Sequence, residues 1–234
     1  MHARDVQCVA RMTSSPRARL EAGLEALALP LDQVQVDQLL ALLDLLSEWS
    51  EKFNLTAIRE PLAMVDKHLL DSLTVQPWLQ GPFVTDVGTG AGFPGLPLAI
   101  VNPELRFTLL DSTAKKVRFV EHAARALGLD HVTVTCTRAE NFRPLQLSTT
   151  VIARALGPVD AFITQAGHLC AKAGQLLAMK GKDPAAELLN LPAGWRVERV
   201  ERLQVPGLSD ERHLAVIKRI ERPQIHPSTS HSSR

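Results

Sequence analysis

FVTDVGTGAGFPGLP, residues 83–97, is the stretch on which the reading of the chain turns. An apolar run, Phe83, Val84 and Val87, carries an acid, Asp86, near its end. Three alternating glycines follow, Gly88, Gly90 and Gly92, and Phe93-Pro94-Gly95-Leu96-Pro97 then opens an apolar segment that reads as a helix. Prolines in a first turn are compatible with that helix, because the N–H groups they lack have no intrahelical partner there. Glycines let a backbone turn tightly and approach a ligand, and a helix start offers free N–H donors. The pattern is the strand–glycine loop–helix element of a nucleotide-type site. Gly90, Gly92 and Gly95 also fit G-x-G-x-x-G, so a dinucleotide has to be weighed. Asp86 argues against it: a carboxylate there would repel a pyrophosphate, whereas it suits a ligand bearing a sulfonium and an ammonium group.

Asp86-x-Gly88-x-Gly90-x-Gly92 resembles the glycine-rich signature of S-adenosylmethionine (AdoMet)-dependent methyltransferases. Working downstream, Arg106–Asp111 is a second strand ending in an acid, about 20 residues past the loop. Asp111 is placed either to accept hydrogen bonds from a ribose diol or to cap the helix expected over Ala114–Leu127, and the ribose is favoured. That helix carries Lys115, Lys116, Arg118 and Arg125, which are either a solvated face or, for the first three, a cationic edge beside the ligand. His131–Cys136 alternates as a third strand, and the loop from Thr137 to Phe142, with Ala139 and Glu140, should abut the ligand. Thr149–Ala153 and Gln175–Met179 read as strands, with a helix over Val159–Cys170 between them. Trp195–Val205 and His213–Ile220 form a hairpin-like pair around Pro206-Gly207. Alternating strands and helices predict an α/β, doubly wound, mostly parallel sheet with helices on both faces.

Upstream, Leu20, Leu24 and Leu27 are spaced as on a helix. A clearer apolar stripe follows, Val36, Leu39, Leu40, Leu43, Leu46 and Trp49, which is a core-facing helix side. A third helix runs through Met64, His68 and Leu69 toward Asp71-Ser72, crowding Lys67, His68, Asp71 and Ser72 beside apolar positions. The chain therefore divides into a disordered extension (1–18, with Met12 an alternative start), a small helical part (19–80), a nucleotide-type domain (81–222) and a polar tail (223–234). With 45% hydrophobic residues and a net charge of +1, the composition supplies a core and announces no global basic field. The three cysteines, Cys8, Cys136 and Cys170, lack metal-ligand spacing and read as buried thiols of a reducing cytosol, and no metal is expected. No apolar run suits a membrane span, so the expected protein is soluble, cytoplasmic and not membrane-bound.

Taken together, FNLTAIRE, HLLDSL, DVGTGAGFPGLPLAI, FTLLDSTAKKVRFV, RAENF, VIARA, AMKG and RHLAVIK resemble the RsmG (GidB) family of bacterial 16S ribosomal RNA guanine-N7 methyltransferases, from about Leu39 to Lys218. The resemblance implies a class I AdoMet-dependent methyltransferase fold, Rossmann-like, with its last strand antiparallel and a small helical part in front. It implies AdoMet as cofactor, with contacts at Gly88, Phe93 (through its backbone), Asp111, Ala139, Glu140 and Arg154, beside Asp86, Gly90 and Gly92 of the loop. It implies 16S ribosomal RNA or the small ribosomal subunit as partner of a monomeric enzyme, and a target guanine in the decoding-region loop. A small-molecule methyltransferase, or a non-catalytic ribosome-binding factor with the same fold, is the alternative.

The chemistry agrees with a site that has no evident base. Guanine N7 carries a lone pair and no proton, so methylating it requires alignment rather than proton removal. Asn54, His68, Arg118 and Lys180 are the residues expected to orient the base at the reacting centre. In paired RNA the N7 edge faces a groove too deep and narrow for side chains, so the target must lie in a loop or be splayed out.

Overall fold

The computed structural model describes residues 15–220. The predicted extension before Ser15 and the tail from residue 221 lie outside the described residues. Helix α1 (Pro16–Ala26) starts inside the expected extension: Ser15 caps it by accepting from the Ala18 N–H, and Pro16 supplies the pre-set φ of a first turn. Helix α2 (Gln33–Phe53) opens with a reciprocal capping box between Asp32 and Gln35 and ends at Asn54 in the left-handed conformation. Its predicted stripe is buried at Val36, Leu39, Leu43 and Leu46. The third helical element, α3, runs from Pro61–Met64 through a π-helical turn, Val65–Leu70, into Asp71–Leu73.

The strands are β1 (Phe83–Val87), β2 (Arg106–Asp111), β3 (Val132–Cys136), β4 (Ser148–Arg154), β5 (Cys170–Lys180), β6 (Trp195–Leu203) and β7 (Arg212–Arg219). They form one sheet in the order β3-β2-β1-β4-β5-β7-β6, parallel from β3 to β5, with β7 antiparallel to both its neighbours. The helices between them are α4 (Gly95–Val101), α5 (Ala114–Ala126), α6 (Val159–Ala166) and the short α7 (Ala185–Leu188). The helix expected over Val159–Cys170 stops at Ala166, because Gly167–Leu169 tightens into a 3-10 turn and Cys170 already pairs with Ser148 in the sheet.

Strand alternation sorts the core into two layers. Val84, Phe107, Leu109, Ile152, Leu177, Leu214 and Val216 face a large cluster shared with α1 to α5. Val87, Leu110, Val151, Ala153, Leu176, Ala178 and Ala215 face a smaller one under α6. The N-terminal helices are thus part of the layer that covers one sheet face. Cys170 is buried, its thiol pushed up to about 11 by desolvation, whereas Cys136 is exposed at the end of β3, contrary to the expected burial. Cys8 lies outside the described residues.

Candidate active site

At the carboxyl ends of the parallel strands the first βα turn makes the tightest bend. Gly88 has φ +70°, and a Cβ added there would lie 2.7 Å from Leu156 Cδ1. Gly92 N–H and Phe93 N–H both donate to Thr89 C=O at 2.9 Å, closing the turn on itself. Gly90 N–H donates to Asp111 Oδ2 at 3.0 Å, so the acid of β2 pins the loop of β1. Asp111 Oδ1 also accepts from Thr113 N–H at 2.8 Å, at the start of α5, so the helix-start reading and exposure to a ligand hold together for this one side chain. Each carboxylate oxygen keeps a second lone pair for a hydroxyl donor.

This turn borders a cavity of about 350 Å³ whose wall includes Val87, Gly88, Asp111, Ala139, Glu140 and Leu156. Lys116 lines it too, its Nζ 3.9 Å from Asp111 Oδ2, which puts this lysine on the edge of the cavity rather than on a solvated face. Bare backbone at Gly88, a carboxylate at the end of β2, and an Ala139–Glu140 turn with apolar neighbours fit a ribonucleoside.

Asp86 does not reach this cavity. Alternation turns it under α4, fully buried, where Oδ2 accepts from Gly95 N–H at 2.9 Å and Oδ1 has no hydrogen-bond partner. Burial raises its pKa to about 6, against the opposing pull of Thr89, the Gly95 N–H and Arg154. The Thr89 hydroxyl is near enough to favour the charged carboxylate, although it and Asp86 Oδ1 both fall short of a well-formed hydrogen bond. Asp86 therefore braces the loop from beneath. Gly90 and Gly92 also serve the turn's shape and do not line the cavity. Phe93 is buried against His68, and its N–H is consumed inside the turn.

A second cavity, about 690 Å³, adjoins the first through Ala155 and takes its walls from α3, β4, β5 and β7. Arg154 lies here rather than in the first cavity. Its Nη1 donates to Asp71 Oδ2 at 2.9 Å and to Lys67 C=O at 3.1 Å, and its guanidinium sits 5.8 Å from the Phe93 ring centre. Asp71 Oδ1 accepts from Arg212 Nε at 2.9 Å, so one buried carboxylate holds two arginines. Lys180 Nζ donates to Gly157 C=O and to Glu187 Oε2, both at 2.8 Å.

His68 also lines this cavity, stacked on Phe93 at 4.8 Å between ring centres, with Nε2 at 3.0 Å from the Thr56 hydroxyl. Desolvation first, and then the Arg154 charge, lower its pKa to about 4, so the ring is neutral at pH 7. Two residues expected at the reacting centre are placed elsewhere. Asn54 is the left-handed cap of α2, bonded to Arg59, where Asn tolerates φ 49°. Arg118 is exposed on the outer side of α5, outside both cavities. Asp71, Arg212 and His213 were not among the candidates. They sit in the HLLDSL and RHLAVIK stretches, but a pairing between residues so far apart in the chain leaves no local spacing to read.

Strand order, the antiparallel β7 and the loop cavity define a class I AdoMet-dependent methyltransferase. The chain belongs to a particular branch of it: the family model described as rRNA small subunit methyltransferase G matches residues 35–215. Ribosomal RNA small subunit methyltransferase G of Marinobacter nauticus is 48% identical over 204 residues, covering 87% of this chain and 95% of that protein. Its namesake in Nitrosococcus oceani is 47% identical over 199 residues, 85% of this chain and 93% of the relative. Among solved structures, TrmN from Thermus thermophilus superposes with a TM-score of 0.53 at 20% identity, covering 73% of this chain and 53% of its own. A SAM-dependent methyltransferase from Aquifex aeolicus gives 0.51 at 21% identity, covering 66% and 92%. These likenesses concern the fold. Among the described residues no group of His, Cys, Asp and Glu is arranged to hold a metal ion, and no helix is long and apolar enough to cross a membrane.

Proposed function

We propose that this enzyme methylates N7 of a guanine in a loop of 16S ribosomal RNA, the base entering the second cavity while AdoMet occupies the first. The observation that carries the reading is the junction of the two cavities at Ala155, between the glycine turn and the Arg154–His68 wall. Bound AdoMet supplies an electrophilic methyl group on sulfonium. Asp111 accepts from the ribose hydroxyls, Gly88 lets the backbone pass close, and Ala139 and Glu140 flank the adenine. No residue has to remove a proton, because N7 has none. His68 is neutral here, so it can hold the base by ring contact and hydrogen bonding without adding a further positive charge beside a base that becomes cationic.

The wall of the second cavity holds four cations, Lys67, Arg154, Lys180 and Arg212, against two carboxylates, Asp71 and Glu187. The excess positive charge faces flanking phosphates, while Asp71 and Glu187 keep Arg154, Arg212 and Lys180 in fixed positions. We assign Arg154, Lys180 and His68 to orienting the base. We further propose a monomer acting in the cytoplasm without membrane attachment, since one chain lines both cavities and the substrate class resides there. The test is transfer of labelled methyl from AdoMet into small-subunit RNA, followed by borohydride reduction and aniline treatment. Strand scission at the labelled guanine is expected. Label that resists scission means a different acceptor atom, and label only in small metabolites overturns the RNA substrate.

A further inference from the structure

Outside both cavities, α2 and α5 share an aromatic seam that core packing does not finish. Trp49 stacks at a tilt on Phe53 (5.5 Å), Phe119 (5.6 Å) and His122 (5.1 Å). Phe119 is fully buried and anchors the seam, but Phe53 is 44% exposed and His122 lies on the surface. A single exposed phenyl ring would be ordinary, but Phe53 is continuous with the half-buried Trp49 and the exposed His122 ring, so three rings share one surface.

Around it stand cations without internal counter-charges. Lys115, Arg118 and Arg125 lie on one exposed face of α5 with the His122 ring, at three- and four-residue spacing, and Lys52 precedes Phe53 at the end of α2. Lys115 Nζ reaches the Phe53 carbonyl at 3.3 Å, tying the cationic face to the aromatic one. Among the described residues, Lys52, Lys115, Arg118 and Arg125 pair with no carboxylate, whereas Arg19, Arg154, Lys180 and Arg212 each do. Glu121 is the acid on the same side of α5, while helical periodicity sends Glu48 and Glu51 of α2 away from Phe53 and sets Lys52 on the side of Glu48, four residues before it, at the margin of the face. Two chain connections lead from this face to the site: Lys116, next to Lys115, lines the cofactor cavity, and Ile58, shortly after Phe53, lines the second.

We infer that Phe53, Trp49 and His122 with Lys52, Lys115, Arg118 and Arg125 form a docking platform for single-stranded RNA, an unpaired base stacking on Phe53 while its phosphates meet the α5 cations. Base–aromatic stacking next to a cationic track is the general device for unpaired strands. The inference rests on the RNA-substrate reading above and adds to it where the strand leaves the cavity. A second protein is the competing occupant of such a face, since aromatics and arginines also mark protein contacts, and the experiment separates the two.

The experiment is titration of a fluorescein-labelled single-stranded oligoribonucleotide by anisotropy, across a salt series. Phe53→Ala is expected to weaken binding about ten-fold, and Phe53→Trp to restore it. A double Arg118→Ala and Arg125→Ala variant should lower the salt slope by roughly 1.4, about 0.7 for each phosphate no longer neutralised. AdoMet affinity of Phe53→Ala, read by calorimetry, should equal wild type, which excludes a folding defect. The platform is overturned if both variants bind within about two-fold of wild type with unchanged slope. It is equally overturned if wild type ignores the oligonucleotide and the variants lose only assembled subunits, which would make the face a protein contact. Failure of the RNA-methylation reading is distinguishable: wild type would then transfer no methyl to RNA while the binding differences persist.

Discussion

Gly88 has little freedom to become something else. Its φ of +70° lies where an L side chain costs roughly 1–2 kcal/mol, and the added Cβ would press on Leu156 in the cavity wall. Gly88→Ala should therefore weaken AdoMet binding by at least about ten-fold in calorimetry while the fold persists. Two buried titrating groups make a second prediction, with opposite signs. His68 falls from 6.5 to about 4 on folding, so its neutral form stabilises the protein above pH 6.5, and that contribution is lost as pH falls toward 4. Asp86 rises from 3.8 to about 6, so its contribution is present below 3.8 and lost as pH rises through 6. Measured against His68→Gln, wild type should lose at most about 3 kcal/mol on acidification across that window. Against Asp86→Asn it should gain on the same acidification. Denaturant unfolding at several pH values checks both, and parallel curves would mean that neither group titrates as described. The sequence singled out Asp86 and Asp111, and the family pattern named the residues of the loop. It did not show that one acid faces the cavity and the other the core, because alternation along a strand acquires direction only when the covering helices are known.

At the scale of elements, Asp71 joins three of them: α3 supplies the carboxylate, and β4 and β7 supply Arg154 and Arg212. The π-helical turn Val65–Leu70 just before it widens the helix where His68 meets Phe93, a deviation of the sort that recurs at functional sites. Asp71→Asn keeps the size and removes the charge, leaving two guanidiniums facing each other. Full burial would put the cost at about 3–5 kcal/mol, but Arg154 and Arg212 are 23% and 22% exposed, so about 2 kcal/mol is expected. The urea midpoint should drop accordingly, and methyl transfer should fall more than AdoMet affinity, because the arginines lie in the second cavity. Equal losses in both would place the effect on the cofactor. The elements themselves were legible: most strands and helices stand near their predicted limits, because period-two and helical patterns report burial directly, but β5 begins at Cys170, five residues before its expected start at Gln175. The ends that moved, Pro16 at the start of α1 and Ala166 at the end of α6, were set by a serine cap and by sheet pairing of Cys170, which periodicity does not carry.

Over the whole molecule, the first helices look in sequence like a separable part preceding a nucleotide-binding domain. Their side chains suggest a different organisation. Leu20 and Leu24 of α1, Leu39, Leu42 and Leu46 of α2 and Leu69, Leu70 and Leu73 of α3 belong to the same continuous cluster as Phe107, Leu177 and Val216 of the sheet. Remove these helices and much of one sheet face, beyond the part that α4 and α5 cover, would lose its cover. The helical part should therefore not unfold by itself. Single-tryptophan variants make this measurable: Trp49 reports from α2, and Trp195 from the far edge strand β6. The two fluorescence transitions in urea should coincide with each other and with the loss of circular dichroism. Leu39→Ala, at a fully buried position, should shift both tryptophan transitions by the same 2–5 kcal/mol or so expected of a core leucine truncation. An early transition at Trp49 alone, deepened by Leu39→Ala while Trp195 stays unmoved, would show the helices to be an independent unit. Coincident transitions would mean that the cavity wall built from Lys67, His68 and Asp71 is as stable as the sheet it leans on.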